Sequence, residues 1–126
     1  MEGNYRTIDS IIKHVELENC LRVDLLEVGM KILLETQHNI YEFEKIEHPN
    51  VFLLQGGQIF KTPERVRFNS CTFGGTSIWL YRIGKDLFPE IITERENPEE
   101  KKLRMSAVKS AKVIGPTYEI EVFEKD

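Results

Sequence analysis

FNSCTFGGTSIWLYRIGKD, residues 68–86, is the stretch that determines which architecture the chain can adopt. It places a Gly-Gly pair between hydroxyl-bearing residues and a run of large apolar side chains. Glycines inside strand patterns are typical of bulges and barrel corners, where the backbone bends sharply. The alternative is an anion-binding turn, but the stretch lacks the G-x-x-x-x-G-K-[ST] frame of a nucleotide loop, and no helix is predicted after it. We therefore expect Gly74 and Gly75 to form a bend in a β-barrel.

On both sides of this stretch the apolar residues recur with a period of two, as in MKILLET (30–36) and IYEFEKI (40–46). Such alternation predicts half-buried strands, and Gly, Pro and Asn residues separate them. The segments predicted to be strands are residues 30–36, 40–46, 51–55, 65–69 (into which QIFKT leads), 77–83, 87–93, 103–114 and 118–125. Seven or eight short strands at this spacing predict a small single-domain antiparallel barrel in an all-β or mostly β protein.

Two of these segments carry specific expectations. Pro89 cannot donate a ladder hydrogen bond, so strand 87–93 should lie at an edge of the sheet or contain a bulge. Segment 103–114 is ambiguous between helix and strand. Strand is favoured because the turn residues that follow it, IGPT (114–117), lead directly into the alternating segment 118–125.

Before the barrel lies one predicted helix, residues 7–19, within an N-terminal extension of residues 1–29; residues 30–126 form the predicted barrel domain. Ile8, Ile11, Ile12 and Val15 form one apolar stripe of a 3.6-residue period. Thr7 can cap the start of the helix. Because the helix is short, it needs a docking surface, and we expect its stripe to close one end of the barrel.

The composition is that of a soluble single-domain protein of 126 residues. No apolar run approaches the ~20 residues of a membrane span, so no membrane partner is expected. The first residues show no signal-peptide pattern, which favours the cytoplasm and reduced thiols at Cys20 and Cys71, with a Cys20–Cys71 disulfide as the alternative. The net charge of −4 disfavours nucleic acid as the main partner, but residues 61–85 carry five basic side chains against one acid, Glu64.

This basic segment also holds the aromatic residues that make the most interesting candidate surface. On SIWLYRI (77–83) one face carries Trp79 and Tyr81. If these rings face outward near Arg65, Arg67 and Arg82, they could stack on bases or bind a peptide; if they face inward, they are core residues. Burial in the core is the favoured interpretation. The candidate ligand or partner residues are Arg65, Arg67, Cys71, Thr72, Gly74, Gly75, Thr76, Trp79, Tyr81 and Arg82.

Catalytic chemistry has little support in the sequence. A reactive Cys71 would need a base or a positive environment, and none of the three histidines shares a recognised motif with it. The histidines have no H-x-x-x-H spacing and there is no Cys-x-x-Cys pair, so we expect no metal and no cofactor. The sequence favours a protein without enzymatic activity.

From residue 29 to about 113 the chain resembles a group of short bacterial β-barrel proteins with no assigned activity. The segments that carry the resemblance are VGMKILLETQHNIYEF (28–43), LLQGG (53–57), CTFGGTSIW (71–79) followed by RIG (82–84), and RMSAVKSAKV (104–113). The third corresponds to a Gly-Ser-Thr-aromatic-Gly-Gly-Ser pattern, in which Ser70, Cys71 and Thr76 replace the Gly, the first Ser and the last Ser. The resemblance implies a barrel in a bacterial cytoplasm and adds no catalytic residue.

Three functions remain open from the sequence. The first and favoured one is a non-enzymatic binding or assembly module, with a protein partner or a homodimer formed through an edge strand near Pro89 or at residues 118–125. The second is nucleic-acid binding through the basic and aromatic surface of residues 61–85. The third is small-molecule binding or catalysis at the barrel mouth around Cys71, Thr72 and Thr76.

Overall fold

The computed structural model describes residues 8–72, 78–94 and 101–123. It shows a mostly β protein with one helix, α1 (Ile8–Glu18), and a 3₁₀ helix at Val23–Leu25, so the predicted fold class is confirmed. The strands are β1 (Leu21–Arg22), β2 (Lys31–Thr36), β3 (Ile40–Glu47), β4 (Val51–Gly56), β5 (Phe60–Thr72), β6 (Ile78–Leu80), β7 (Arg82–Ile83), β8 (Phe88–Thr93), β9 (Lys102–Arg104), β10 (Val108–Ile114) and β11 (Glu119–Glu121).

Nine of these strands form one large antiparallel sheet, in the order β11-β10-β2-β3-β4-β5-β8-β9, with β6 paired to β5. Within the described residues the ladders do not close into a barrel, because β11 and β9 remain as the two ends. The sheet nevertheless curls until distant strands meet. The Val108 N–H donates to the Leu87 carbonyl at 2.9 Å, and the Asp86 N–H donates to the Val108 carbonyl at 2.8 Å.

The longest strand, β5, joins the two halves of this sheet. Its first part pairs with β4 and its second part pairs with β8. Its last three residues also pair with β6, on the edge that pairs with β4 earlier in the strand. The register of β5 against β8 shifts between Phe68 and Ser70. Such a shift bends a strand and increases its twist, which is what a strongly curled sheet requires. The expected bend at Gly74 and Gly75 lies outside the described residues.

The segment 77–83 differs from its prediction as one continuous strand. It is divided into β6 and β7 by Tyr81, whose φ of +55° lies in the left-handed region. Beyond this break the chain leaves the large sheet, and β7 pairs with β1 in a separate two-stranded sheet. The two-residue alternation predicted for Trp79 and Tyr81 therefore ends at Tyr81, and no propensity rule signals a left-handed tyrosine.

The second half of the chain bears on three further expectations. Of the two alternatives for the strand that holds Pro89, an edge position is wrong, because β5 pairs with one side of β8 and β9 with the other. A bulge is the other alternative, and the ladder between β5 and β8 does contain a register shift. Segment 103–114 is extended, as favoured, but it forms two strands, β9 and β10, that pair with different neighbours. The last strand is shorter than predicted, since β11 covers three residues within 118–125.

The core follows the predicted alternation. Inward positions on β2, β3, β4, β5 and β10 are buried, and Phe43 contacts Phe52 and Phe68 edge to face, with ring centroids 5.8 and 6.1 Å apart. Edge-to-face pairs of this kind add to the stabilisation that apolar burial provides. Ile11 and Val15 of α1 are buried in the same core. The N-terminal segment therefore packs into the core of the sheet instead of forming a core of its own.

The turn between β4 and β5 depends on two glycines with positive φ, Gly56 (+130°) and Gly57 (+63°). A glycine pair at the end of a strand pattern is typical of a turn or bulge, and the register of β4 against β5 does shift between Leu54 and Gly56. A Cβ atom on Gly56 would overlap the Ile40 carbonyl of β3 and lie 2.9 Å from the Tyr41 Cα. Gly56 is thus required both by its backbone conformation and by close contact with the neighbouring strand.

We predict that Gly56→Ala destabilises the protein more than Gly29→Ala. Gly29 also has a positive φ, +97°, but nothing lies within 4 Å of the Cβ position. Backbone strain alone should make Gly29→Ala cost about 1–2 kcal/mol, whereas the added clash should make Gly56→Ala cost about 3 kcal/mol or more. Urea unfolding of the two variants measures the difference. Equal losses of unfolding free energy would show that β3 does not constrain Gly56.

Candidate functional site

Arg65 and Arg67 lie on the outer face of β5, where both side chains are exposed. Arg65 is held between two carboxylates, with its Nη2 atom 2.9 Å from Glu47 Oε2 and its Nε atom 3.1 Å from Glu94 Oε1. A nucleic-acid phosphate would have to compete with both acids for this guanidinium. The positive character that the sequence indicates for residues 61–85 is therefore reduced at Arg65.

Trp79, Tyr81 and Arg82 form a second group, at the break between β6 and β7. The Arg82 guanidinium carbon lies 5.6 Å from the Trp79 ring centroid, a distance typical of a cation–π contact. Trp79 and Arg82 are half-buried, and Tyr81 is half-buried against the core. Strand β7 carries Arg82 opposite Arg22 of β1, whereas Arg65 and Arg67 lie opposite residues of β4. The predicted basic and aromatic surface is thus divided between two sheets.

Cys71 is fully buried in the core, and Cys20 is also a buried free thiol. Burial raises the pKa of Cys71 to about 12, and a hydrogen bond from the Gly84 backbone offsets this only in part. Burial, and secondarily the charge of Glu18, also raises the pKa of Cys20. Because the thiolate is the nucleophilic form, neither thiol has the environment of a reactive cysteine at neutral pH.

The remaining predicted residues follow Cys71. Thr72 is buried, and its hydroxyl has no hydrogen-bond partner in the described part of the chain. Gly74, Gly75 and Thr76 lie outside the described residues. Among the residues that are described, no cluster of histidine, cysteine or acidic side chains could hold a metal ion, and no helix is long and apolar enough to cross a membrane.

One buried charged residue was missed in the sequence. Lys45 occupies the inward position of β3 that follows Tyr41 and Phe43, and its side chain is completely buried. Its Nζ donates to the Val23 carbonyl at 2.6 Å and lies 5.4 Å from the Phe52 ring centroid. Burial lowers the pKa of Lys45 to about 8, although the nearby charge of Asp24 acts in the opposite direction. Lys45 thereby connects the N-terminal segment to the sheet.

A second buried charge is Glu90 on β8, which is 5% exposed at its side chain. Arg104 of β9 binds its Oε2 at 2.8 Å through Nη2 and at 3.0 Å through Nε, and Lys102 lies 3.4 Å from its Oε1. Burial raises the pKa of the Glu90 carboxyl, but the hydrogen bonds and charges of the two basic residues outweigh it and place the pKa below its ordinary value. These ion pairs hold β9 against β8.

A groove of about 430 Å³ lies between α1 and β11. Helix α1 contributes one wall and β11 with the two residues after it contributes the other. The lining residues are Ile12, Val15, Glu16, Asn19, Ile120, Glu121, Val122 and Phe123. Five of the eight are apolar, and two of the remaining three are acidic. Ile12, which the helical stripe predicts to be a docking residue, is 37% exposed at this groove.

Strand β11, at one end of the sheet, pairs with β10 and with no other strand in the described residues. The Val122 N–H donates to the Ala111 carbonyl at 2.9 Å, and the Gly115 N–H donates to the Tyr118 carbonyl at 2.9 Å. Tyr118 and Val122 therefore turn backbone groups toward β10. Because these groups alternate along a strand, the backbone of Glu119 faces the opposite edge. An edge of this kind can accept a further strand.

Comparison of the chain with protein-family models, with curated proteins and with solved structures found no match. The groove between α1 and β11 could not be located from the sequence, because residues about 100 positions apart form its walls. Each wall separately has a signal in the sequence, namely the apolar stripe of residues 8–15 and the alternation of residues 118–122. Residues 118–125 are also one of the two predicted partner edges.

We predict that Lys45 makes the protein more stable as the pH rises from 8 to 10.5. The amine titrates near pH 8 in the fold and near 10.5 when unfolded, so in this window the unfolded chain binds more protons. The free energy of unfolding should increase by about 3 kcal/mol across this pH range. Urea unfolding across this range should show a larger gain in the wild type than in Lys45→Met. The difference between the two proteins removes the contribution of tyrosines and cysteines, because these titrate in both. A pH-independent difference between the two proteins would contradict the burial of a titrating amine.

Proposed function

We propose that the protein is a non-enzymatic binding module that holds an extended segment of a protein partner along β11 and in the groove between α1 and β11. The observation that carries the proposal is the position of an end strand directly beside an apolar groove of about 430 Å³. Addition of a strand to a sheet edge provides backbone hydrogen bonds, and an adjacent groove selects side chains.

The groove is suited to such a segment in both shape and composition. Ile120 lies on the groove side of β11 and Ile12 lies across from it on α1, so an apolar side chain of the partner would be enclosed by two apolar walls. Apolar area removed from water in this way contributes roughly 25 cal/mol per Å². The exposed Ile12 supplies area that is not yet buried in the isolated chain.

The two alternative functions have less support. Binding of nucleic acid would use Arg65, which already contacts two carboxylates, and Arg82, which contacts Trp79. Nucleophilic chemistry at Cys71 would require a thiolate whose formation the core opposes. No cluster of metal ligands that would favour a metal-dependent enzyme is found in the described residues.

The probes are peptides selected from a random-peptide library on the immobilised wild-type protein. The proposal predicts that these peptides bind Ile12→Asp at least about tenfold more weakly, because the bound segment would desolvate a carboxylate in the apolar wall. Leu17→Asp is the matched control. Leu17 lies on the same helix, is 76% exposed and does not line the groove. Thermal unfolding should confirm that both variants fold.

Isothermal titration of the selected peptides against the three proteins provides the measurement. Retained affinity in Leu17→Asp together with loss in Ile12→Asp would support the proposed site. Equal affinity for Ile12→Asp and the wild type would place binding elsewhere, and a library that yields no binder would oppose a peptide-binding function.

A further inference from the structure

The acidic and apolar residues of β11 specify the chemistry of the segment that would bind there. We infer that the partner segment carries a basic, apolar, basic pattern; this inference rests on the proposed function, because it describes the occupant of the same groove. In β11 itself the order is Glu119, Ile120, Glu121, with the two glutamates exposed and Ile120 buried.

The alternation of β11 determines which partner side chains meet which surface. Residues directly opposite on paired strands point to the same face of a sheet. Partner residues opposite Glu119 and Glu121 would therefore point outward beside these carboxylates. The partner residue between them would point inward with Ile120, into the groove against Ile12.

The charges around the groove favour lysine or arginine at the two outward positions. Among the described residues that line the groove, Glu16 and Glu121 are acidic and none is basic. On the β10 side, Lys112 lies opposite Glu121, and the apolar Ile114 lies opposite Glu119. Opposite charges on facing strands stabilise the pairing of the strands, and like charges destabilise it. A cation opposite Glu119 would supply the cross-strand charge that Ile114 does not.

The same charges argue against a second copy of β11 as the occupant. Antiparallel pairing of two β11 strands in register would place Glu119 of one copy opposite Glu121 of the other. Within the chain, β9 has the complementary sequence Lys-Leu-Arg, but Lys102 and Arg104 already bind Glu90 of their own molecule. A separate partner with basic and apolar residues therefore fits better than self-association through β11.

Nine-residue peptides that differ only at the centre provide the probes: Lys-Leu-Lys, Thr-Leu-Thr and Glu-Leu-Glu. Titration into ¹⁵N-labelled protein, followed by amide chemical shifts, reports both affinity and location. The Lys-Leu-Lys peptide should shift the amides of β11 and bind about tenfold or more tightly than Glu-Leu-Glu, with Thr-Leu-Thr between them. Raising the salt concentration should reduce this difference.

Two charge-reversal variants of the protein separate a local effect from net charge. Glu119→Lys should weaken binding of Lys-Leu-Lys at least fivefold and strengthen binding of Glu-Leu-Glu. Glu42→Lys is the matched control, because it changes the net charge equally on β3, where the described residues give Glu42 a 3.9 Å pair with Lys31. If both variants weaken binding of Lys-Leu-Lys equally, the preference for basic peptides comes from long-range attraction by the net charge. This result would overturn the inference.

The remaining outcomes distinguish this inference from the proposed function. If the three peptides bind with equal affinity and Ile12→Asp weakens them all, the groove binds peptides but the basic pattern is wrong. If Ile12→Asp leaves the affinity of all three unchanged, the proposed function itself fails. A molecular mass that rises with protein concentration, and rises further in Glu119→Lys because the new lysine would face Glu121 of the other copy, would make a second copy the occupant. Peptide binding by a chain beginning at Ile8, but not by the full chain, would assign the groove to residues 1–7.

Discussion

Strand β5 is the element on which the rest of the structure depends, because it is paired along both edges and joins the two halves of the sheet. Thirteen residues long, it contacts β4 first and β8 afterwards, with β6 beside its last three residues. Its buried Val66 and Phe68 extend the core that begins with Phe43 and Phe52. The register shift after Phe68 bends the strand where the sheet must curl. The ends of the sheet, including β11, are positioned by this central pairing.

The N-terminal segment is the second constraint, since it supplies one wall of the groove. Several contacts hold it to the rest of the chain: β1 pairs with β7, the Val23 N–H donates to the Tyr81 carbonyl at 2.8 Å, and the Val23 carbonyl accepts from Lys45 of the large sheet. The left-handed break at Tyr81 turns β7 away from the large sheet so that β1 can pair with it. The cost of burying the Lys45 ammonium is offset in part by its hydrogen bond and its contact with Phe52. The groove thus depends on contacts made well outside it.

Local pattern accounts for what could be predicted, and tertiary pairing accounts for what could not. The alternation of apolar residues predicted β2, β3 and β4 within one residue at each end, and the 3.6-residue stripe predicted α1. Lys45 could have been found by continuing the alternation of Tyr41 and Phe43 by one step, which places a lysine at an inward position. By contrast, the basic and aromatic residues of 61–85 suggested one surface because they are close in sequence. The structure separates Arg65 from Arg82 by assigning their strands to different sheets, a choice that no local pattern determines.

Native-state amide hydrogen exchange tests most directly whether β5 holds the two halves of the sheet together. The amides of β5 from Val66 to Cys71 should exchange only by global unfolding, so that their opening free energies match the value from urea unfolding, while amides of β11 should exchange through smaller openings. Opening free energies in β5 well below the global value, with faster exchange there than in β2 and β3, would show that the halves of the sheet separate without unfolding and would contradict the account.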